Sequence, residues 1–319
     1  MTKQEQFAYS AGLLDGEGCF HASRNEHCNT FRYGITVNLD FEKPLQRLKG
    51  LFGGEVKPRS DGGFSWAIPK HLLGKCLDAV IPYLLIKRKQ AELVRELRMT
   101  FVDTGRKRGQ RPPDEVVSFR QELTTEITRL KEEYSLKPIP VLPKACLHAY
   151  TAGILDAEGS FGIYHGQGNR FVAKAQIGMV DPTAVTAIHN EFEGFVQIGS
   201  KGHAHPVNYA VFERGAAVQI SKKTRKYRLL KIEQGDLVVR LQNHIDLWQG
   251  KRHGNIPHPE HVIAQRERWY QRSRELNSIT LAARAETNPS QPLVASDSPI
   301  CIEPKDAELP EMSSHYAAA

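Results

Sequence analysis

Apolar positions crowd the start of the chain. Phe7, Ala8, Ala11, Gly12, Leu13 and Leu14 are almost continuous small or apolar residues, which predicts a short buried helix over 7–15 that Gly16 and Gly18 break. Two strands are then expected over 19–26 and 31–39 with a turn at Glu26–Thr30, because Phe31, Tyr33, Ile35, Val37 and Leu39 alternate onto one face. Asp40 stands where it can cap a helix over 43–52, whose stripe is Leu45, Leu48, Leu51 and Phe52 and whose stop is Gly53-Gly54. Strands near 54–59 and 63–68 meet across Asp61-Gly62-Gly63. Helices over 71–81 and 86–100 follow, interrupted near Pro82. The pattern reads α-β-β-α-β-β-α with a helical end.

A basic loop over 104–114 and an amphipathic helix over Val116–Tyr134 lead to Pro138, Pro140 and Pro143, which mark a stiff linker. The same order then begins again. YSAGLLDGEGCF at Tyr9–Phe20 returns as YTAGILDAEGSF at Tyr150–Phe161, with Asp156 and Glu158 lying 141 residues after Asp15 and Glu17. Asp181 lies 141 after Asp40, and Phe52-Gly53 pairs with Glu193-Gly194 at that offset. Lys87 and Gln90, in IKRKQAELV, match Lys231 and Gln234, in LKIEQGDLV, at an offset of 144. Four matches with a small drift mean duplication and predict a pseudo-twofold molecule. The expected units are 1–137 as a first domain with its basic loop and connecting helix, 138–145 as linker, 146–283 as a second domain and 284–319 as a disordered acidic tail. Within the second, Trp248–His261 reads as a loop and Val262–Leu281 as a final helix.

Composition narrows the class. With 319 residues, 40% hydrophobic and 25% charged, the chain is globular in type, and no stretch approaches the roughly 18 apolar residues of a membrane span. Its first residues lack a signal-peptide apolar core, so the expectation is cytoplasm or an organellar matrix, not secretion, and no membrane partner. Cys19, Cys28, Cys76, Cys146 and Cys301 have wide spacing and no zinc-like pattern, so free thiols are expected. From Glu286 onward six acids face one Lys; that end is −5 and the rest is +12, which suggests a polyanionic partner.

The repeated helix carries the chemistry. Ala11-Gly12 and Ala152-Gly153 allow two helices to approach closely, and the natural partner of a helix with no polar face is its own repeat. Packed side by side, the two helices bring Glu17 near Glu158 at their C-terminal ends. Helix C-termini disfavour anions and paired carboxylates repel, so the pair calls for a cation. A divalent metal with oxygen ligands, most simply Mg²⁺, answers that need and is the usual partner of phosphodiester hydrolysis.

SAGLLDGEG (Ser10–Gly18) and TAGILDAEG (Thr151–Gly159) resemble the LAGLIDADG motif of the homing endonucleases, over about residues 7–283, in the single-chain, two-motif form. The resemblance implies an α+β fold: a tandem pseudo-twofold repeat of αββαββα domains, each with a four-stranded antiparallel sheet, the two sheets forming a saddle over double-stranded DNA. It makes Glu17 and Glu158 the metal ligands, for Mg²⁺ with Mn²⁺ as a substitute, and Asp15, Asp156, Gly12 and Gly153 supports of the motif helices. It implies an active-site Lys before the helix that follows the fourth strand, matched by Lys87 and Lys231, to offset transition-state charge or orient water. It implies a polar residue at the end of the second strand that holds a metal-bound water; Asn38 fits, whereas the second copy offers Gly178 or Met179, so the halves are unequal.

Outward strand positions then supply base contacts from His21, Ser23, Arg24, Arg32, Lys57, Arg59, Ser65, Lys174 and Lys201. Phosphate contacts are expected from Lys43, Arg47, Lys49, Lys222, Lys223, Arg225 and the loop Arg106-Lys107-Arg108. The implied activity is that of a monomeric, site-specific double-strand DNA endonuclease with a long pseudo-palindromic target. The alternatives are a group I intron RNA maturase or splicing cofactor, with intron RNA as partner, and a non-catalytic DNA-binding protein of the same fold.

Overall fold

The first helix, α1 (Lys3–Glu17), starts at a capping box: the Thr2 hydroxyl accepts from the Glu5 amide at 3.2 Å and the Glu5 carboxylate accepts from the Thr2 amide at 2.6 Å. A computed structural model describes residues 1–25, 30–101, 112–199, 205–249 and 258–287. Lys201, the loop Arg106-Lys107-Arg108, the turn beginning at Glu26, Cys28, Cys301 and nearly all of the acidic tail fall outside those residues.

After α1 come β1 (Gly18–Asn25), β2 (Thr30–Leu39), α2 (Glu42–Phe52), β3 (Glu55–Pro58), β4 (Phe64–Ala67), α3 (Lys70–Val80), a 3₁₀ turn at Ile81–Tyr83, α4 (Arg88–Met99) and α5 (Asp114–Arg129). The second half runs α6 (Lys144–Glu158), β5 (Gly159–Gly166), β6 (Arg170–Met179), α7 (Pro182–Phe192), β7 (Phe195–Gly199), β8 (Val207–Glu213), α8 (Gly215–Thr224), α9 (Ile232–Gln249) and α10 (Glu260–Thr287). Both halves are thus αββαββα units with added helices. Each holds a four-stranded antiparallel sheet, of order β1-β2-β4-β3 in one and β5-β6-β8-β7 in the other. Among the described residues no helix is long and apolar enough to cross a membrane.

The alternation of β2 is kept. Phe31, Tyr33, Ile35, Val37 and Leu39 are buried against the helices, while Arg32 and Asn38 are exposed on the open face. Trp66 is fully buried from β4, and its indole N–H donates to the Gly53 carbonyl at 3.0 Å, tying the sheet to the end of α2.

Helices α1 and α6 pack directly on one another. A Cβ on Gly12 would stand 2.1 Å from the Tyr150 carbonyl oxygen, and one on Gly153 2.2 Å from that of Tyr9. Real side chains do not tolerate such distances, so backbone touches backbone there. The interface is closed further along by Arg47 of α2, which donates to the Tyr227 carbonyl at 2.9 Å and lies 4.6 Å from the Tyr9 ring. That contact places Arg47 between the halves, not on a phosphate.

Two local expectations shift. Asp181 caps α7 by accepting from the Thr183 amide at 2.9 Å, but its counterpart Asp40 does not occupy the cap of α2; Phe41 does, and the helix starts at Glu42. Pro182, preset for the first helical position, lets α7 begin one residue earlier than α2. The repeat offset is therefore 140 at the helix ends. Phe52-Gly53-Gly54, with φ +76° and +91° at the glycines, corresponds to Phe192-Glu193-Gly194, with φ +61° and +95°.

Candidate active site and nucleic-acid interface

The two motif helices end side by side. A Cβ on Gly16 would stand 2.5 Å from the Ala157 Cβ and 3.6 Å from the Glu158 Cγ, so the last turn of α6 lies against the last turn of α1. Glu17, half-buried, and Glu158, exposed, are the final residues of these helices, and the charge of Lys87 is felt by both carboxylates. Beside them opens a cleft of about 510 Å³ lined by Gly16, Lys87 and Gln90 from the first half, Glu158, Gln176, Gly178 and Tyr209 from the second, and Lys131, Tyr134 and Lys137 from the connection.

Asp15 and Asp156 point inward, away from that cleft's solvent. Asp15 accepts from the amides of Leu85, Ile86 and Lys87 at 2.7, 3.1 and 2.8 Å and from the Tyr150 hydroxyl at 2.8 Å. Asp156 accepts from the amides of Leu229 and Leu230 at 2.7 and 3.1 Å and from the Tyr9 hydroxyl at 2.8 Å. Each carboxylate pins the segment before α4 or α9 to its own motif helix and is bonded by the tyrosine of the other. Burial raises both carboxyls above the ordinary Asp value, against the pull of those donors.

The lysines take a different place from the one expected. Lys87 lies before α4, one helix later than the resemblance implies. Its ammonium donates to the carbonyls of Leu14, Gly16 and Gly18 at 3.0, 3.2 and 2.8 Å, which uses all three N–H bonds. Lys231 donates to the Leu155 and Gly159 carbonyls at 2.9 and 2.6 Å. Both side chains thus complete the C-terminal carbonyls of the motif helices, where a cation offsets the negative helix end. Lys87 reaches neither water nor phosphate with an N–H left over. Burial lowers its pKa, and the acids Asp15 and Glu17 oppose that shift.

Strand pairing settles the second-half counterpart of Asn38. Gly18 pairs with Val37 and Gly159 with Ile177, so the next residues, Asn38 and Gly178, are equivalent, and Met179 faces the other way. In the first sheet Asn38, Ser65 and Lys57 form one open-face row; in the second the row is Gly178, Tyr209 and Gln197. A Cβ on Gly178 would stand 2.5 Å from the Tyr209 ring. The phenol ring of Tyr209 therefore fills the corner where the first half displays an amide. Neither Tyr209, Gln176 nor Gln197 was picked out from sequence, because the alternation of β6 and β8 is blurred by Ala173, Ala175, Gly178 and Ala210.

The proposed DNA contacts divide by face. His21, Ser23, Arg32, Lys57 and Ser65 share the open face of the first sheet; Lys174 has the matching place on the second. His21 lies across Gly34, whose Cβ would stand 3.2 Å from the ring, and burial lowers its pKa. Arg59 sits at the β3–β4 turn, ion-paired with Asp61. Arg24 is a correction. It pairs with Phe31 on the helix side of the sheet, 6.0 Å from that ring, and donates to Gln121 of α5 at 3.4 Å. Lys222 and Lys223 are a second correction. They lie on α8, and Lys223 is 3.7 Å from Glu191, which bonds His148 at 2.7 Å near the start of α6. His148 is ten residues before Glu158, about 15 Å along the helix. These lysines are thus on the far side of the molecule from the open faces. Lys201 falls outside the described residues.

No protein-family model matches the chain. Among curated proteins, 50 residues are 44% identical to the probable intron-encoded endonuclease aI2 of Debaryomyces hansenii, a stretch that is 16% of this chain and 7% of that protein. A further match of 105 residues is 30% identical to the DNA endonuclease I-CvuI of Chlorella vulgaris, covering 30% of this chain and 64% of that one. The chain thus spans less than two thirds of either relative. Solved structures align over most of the length. The LAGLIDADG homing endonuclease I-GzeII in complex with DNA target is 14% identical with a TM-score of 0.61, covering 83% of this chain and 97% of that one. I-AabMI bound to uncleaved DNA is 15% identical with a TM-score of 0.61, covering 83% and 98%. I-SmaMI bound to uncleaved DNA target in the presence of calcium ions is 17% identical with a TM-score of 0.60, covering 83% and 97%.

Proposed function

We propose that this chain, which has the fold of the LAGLIDADG homing endonucleases in their single-chain, two-motif form, is a divalent-metal-dependent endonuclease that binds and cuts double-stranded DNA as a monomer. One observation carries the reading: Glu17 and Glu158 close two helices that touch backbone to backbone, so two carboxylates are held together at the seam between two open sheet faces. A protein that only bound DNA would have no use for that repulsion.

The residues fit Mg²⁺ or Mn²⁺. Among the described residues no group of three His, Cys, Asp or Glu side chains converges as a metal cage. Mg²⁺ commonly takes only one or two carboxylates and completes its shell with water and substrate phosphate, so Glu17 and Glu158 are a sufficient protein contribution. When bound, the cation supplies Lewis-acid stabilisation of phosphate and an acidified water.

The chain's own residues do the remaining work. Asp15 and Asp156 fix the segments that carry Lys87 and Lys231, and these lysines hold the helix ends that bear the two acids. Asn38 offers an amide to solvent beside Glu17 in one half. Arg32 and Lys57 on one open face and Lys174 on the other hold the duplex through phosphate and base-edge contacts. Because the two faces differ in sequence, the target is long and only pseudo-palindromic.

The test is to enrich a randomised duplex library for bound sequences and then add Mg²⁺ or Ca²⁺. Double-strand cutting with Mg²⁺, and binding without cutting in Ca²⁺, are expected. Glu17→Gln and Glu158→Gln keep binding and lose double-strand cutting. Tight binding with no Mg²⁺-dependent cutting overturns the enzyme reading.

A further inference from the structure

The internal repeat provides its own control for surface charge. At the offset of 144 that matches Lys231 to Lys87, the residues Lys222, Lys223, Arg225, Lys226 and Tyr227 correspond to Asp78, Ala79, Ile81, Pro82 and Tyr83. The tyrosine is kept, but the second copy carries four cations where the first has one acid and three uncharged residues. Packing does not require them: Lys222, Arg225 and Lys226 are exposed. With Lys144 and His148 of α6 they line a cleft of about 570 Å³ that has no acid in its lining. Acids do lie beneath. Glu191 is 3.6 and 3.7 Å from the ammonium groups of Lys144 and Lys223, Glu5 is 3.6 Å from that of Lys226, and Asp236 pairs with Arg225 at 2.7 Å. These carboxylates are the more buried member of each pair, so they steady the cations from below and leave the outer surface positive. The start of α6 adds to the field, since its cap is Pro143 and no side chain caps its first turn, in contrast to the Thr2–Glu5 box of α1.

This cleft lies at the opposite end of α6 from Glu158, about 15–20 Å along the helix, and away from both open sheet faces. A duplex seated on the sheets does not cover it. We infer that the cleft is a second binding site for a nucleic-acid phosphodiester backbone, separate from the sheet faces and independent of the nuclease reading. Phosphate is the ligand chemistry that a row of Lys and Arg in a concave surface recognises, and two sources supply it: a structured RNA, or a second stretch of DNA.

Lysine acetylation footprinting of the full chain, read by mass spectrometry, decides the matter. The probes are a random 30-base-pair DNA duplex and a structured RNA hairpin with the same number of phosphates. Expected is protection of Lys144, Lys222, Lys223 and Lys226 by at least one probe; protection by RNA alone assigns the cleft to RNA, and protection by the duplex assigns it to DNA. Modification of these lysines at full rate under saturating amounts of both probes overturns the site, whether or not the chain cuts DNA. The variant Lys144→Gln/Lys222→Gln/Lys223→Gln, checked for an unchanged melt, should lose about tenfold affinity for the protecting probe and flatten its log K against log salt slope by about 2–3. An unchanged slope equally overturns it.

Discussion

The hydroxyl of Tyr9 in the first half donates to the buried carboxylate of Asp156 in the second at 2.8 Å. The repeat supplies the mirror bond, Tyr150 to Asp15, also at 2.8 Å. Each half therefore completes a polar site inside the other, and the two bonds flank the glycine contact of the motif helices. Tyr9→Phe removes one donor and leaves Asp156 two backbone amides. A loss of about 1.5–3 kcal/mol is expected in urea unfolding at neutral pH. The pH dependence has a definite sign. Burial already raises the Asp156 pKa and the Tyr9 bond lowers it in part, so the variant's pKa lies higher still. A raised carboxyl favours folding most when protonated, and that contribution fades as pH climbs through the folded value. The deficit of Tyr9→Phe should thus be greatest near neutrality and shrink as pH falls toward the ordinary Asp value of 3.8. A deficit that does not change with pH would mean that Asp156 does not sense the hydroxyl.

The glycines of the motif helices should separate cleanly from other helical glycines. Gly12→Ala drives a methyl to 2.1 Å from the Tyr150 carbonyl oxygen, with no flexible side chain to move aside. A cost of about 3 kcal/mol or more is expected, with both halves affected together because the contact is their interface. Gly50, in α2, has nothing within 4 Å of its would-be Cβ. Gly50→Ala should stabilise by about 0.5–1 kcal/mol through lower unfolded-state entropy. Thermal melts of the two variants would move in opposite directions.

Glu193 occupies backbone space that suits glycine. Its φ and ψ are +61° and −149°, close to the +76° and −156° of Gly53 at the same place in the first half. That region costs a residue with a Cβ about 1–3 kcal/mol, while glycine adds flexibility to the unfolded chain. The Glu193 side chain is exposed, so little packing is lost on removal. Glu193→Gly should therefore raise stability by about 1 kcal/mol in equilibrium denaturation; a loss would show that the turn is held by the glutamate itself.

The duplication, the motif helices and the order of strands were all legible in YSAGLLDGEGCF and YTAGILDAEGSF, because small residues at Gly12 and Gly153 have a single physical use at that density of apolar neighbours. The Gly53-to-Glu193 match was not, since a glycine replaced by an acid hides the shared backbone geometry. Side-chain direction was legible on β2, where every second residue is large and apolar, and failed at Arg24, near the strand end, where the apolar row gives no phase. Charge alone could not place Lys222 and Lys223. A lysine run is equally basic on either side of a molecule, and only the packing of α8 beside the start of α6 decides which side it faces. The lysines of the repeat, Lys87 and Lys231, were found by pattern, but their bonds to helix-end carbonyls depend on the fold of the segment that Asp15 and Asp156 hold.

The unequal corners beside the two acids set the last expectation. Around Glu17 the sheet presents Asn38, Ser65 and Lys57, all polar; around Glu158 the same row is Gly178, Tyr209 and Gln197, with the Tyr209 ring over the glycine. An amide can hold a water by donating and accepting, whereas a ring face excludes it. If the two acids serve one strand each, the half with Asn38 should cut faster. With each strand of a selected duplex labelled separately and Mg²⁺ added, nicked intermediate should accumulate in one strand before the double-strand product. Gly178→Asn alone would collide with the ring, so the informative variant is Gly178→Asn/Tyr209→Ser, which recreates the Asn38–Ser65 pair. It should raise the slow strand's rate by about tenfold, within the usual range for a well-placed polar group, and leave the fast strand unchanged. Equal strand rates in the parent chain would show that Tyr209 does not limit the second site, and cutting of neither strand would instead count against the nuclease reading as a whole.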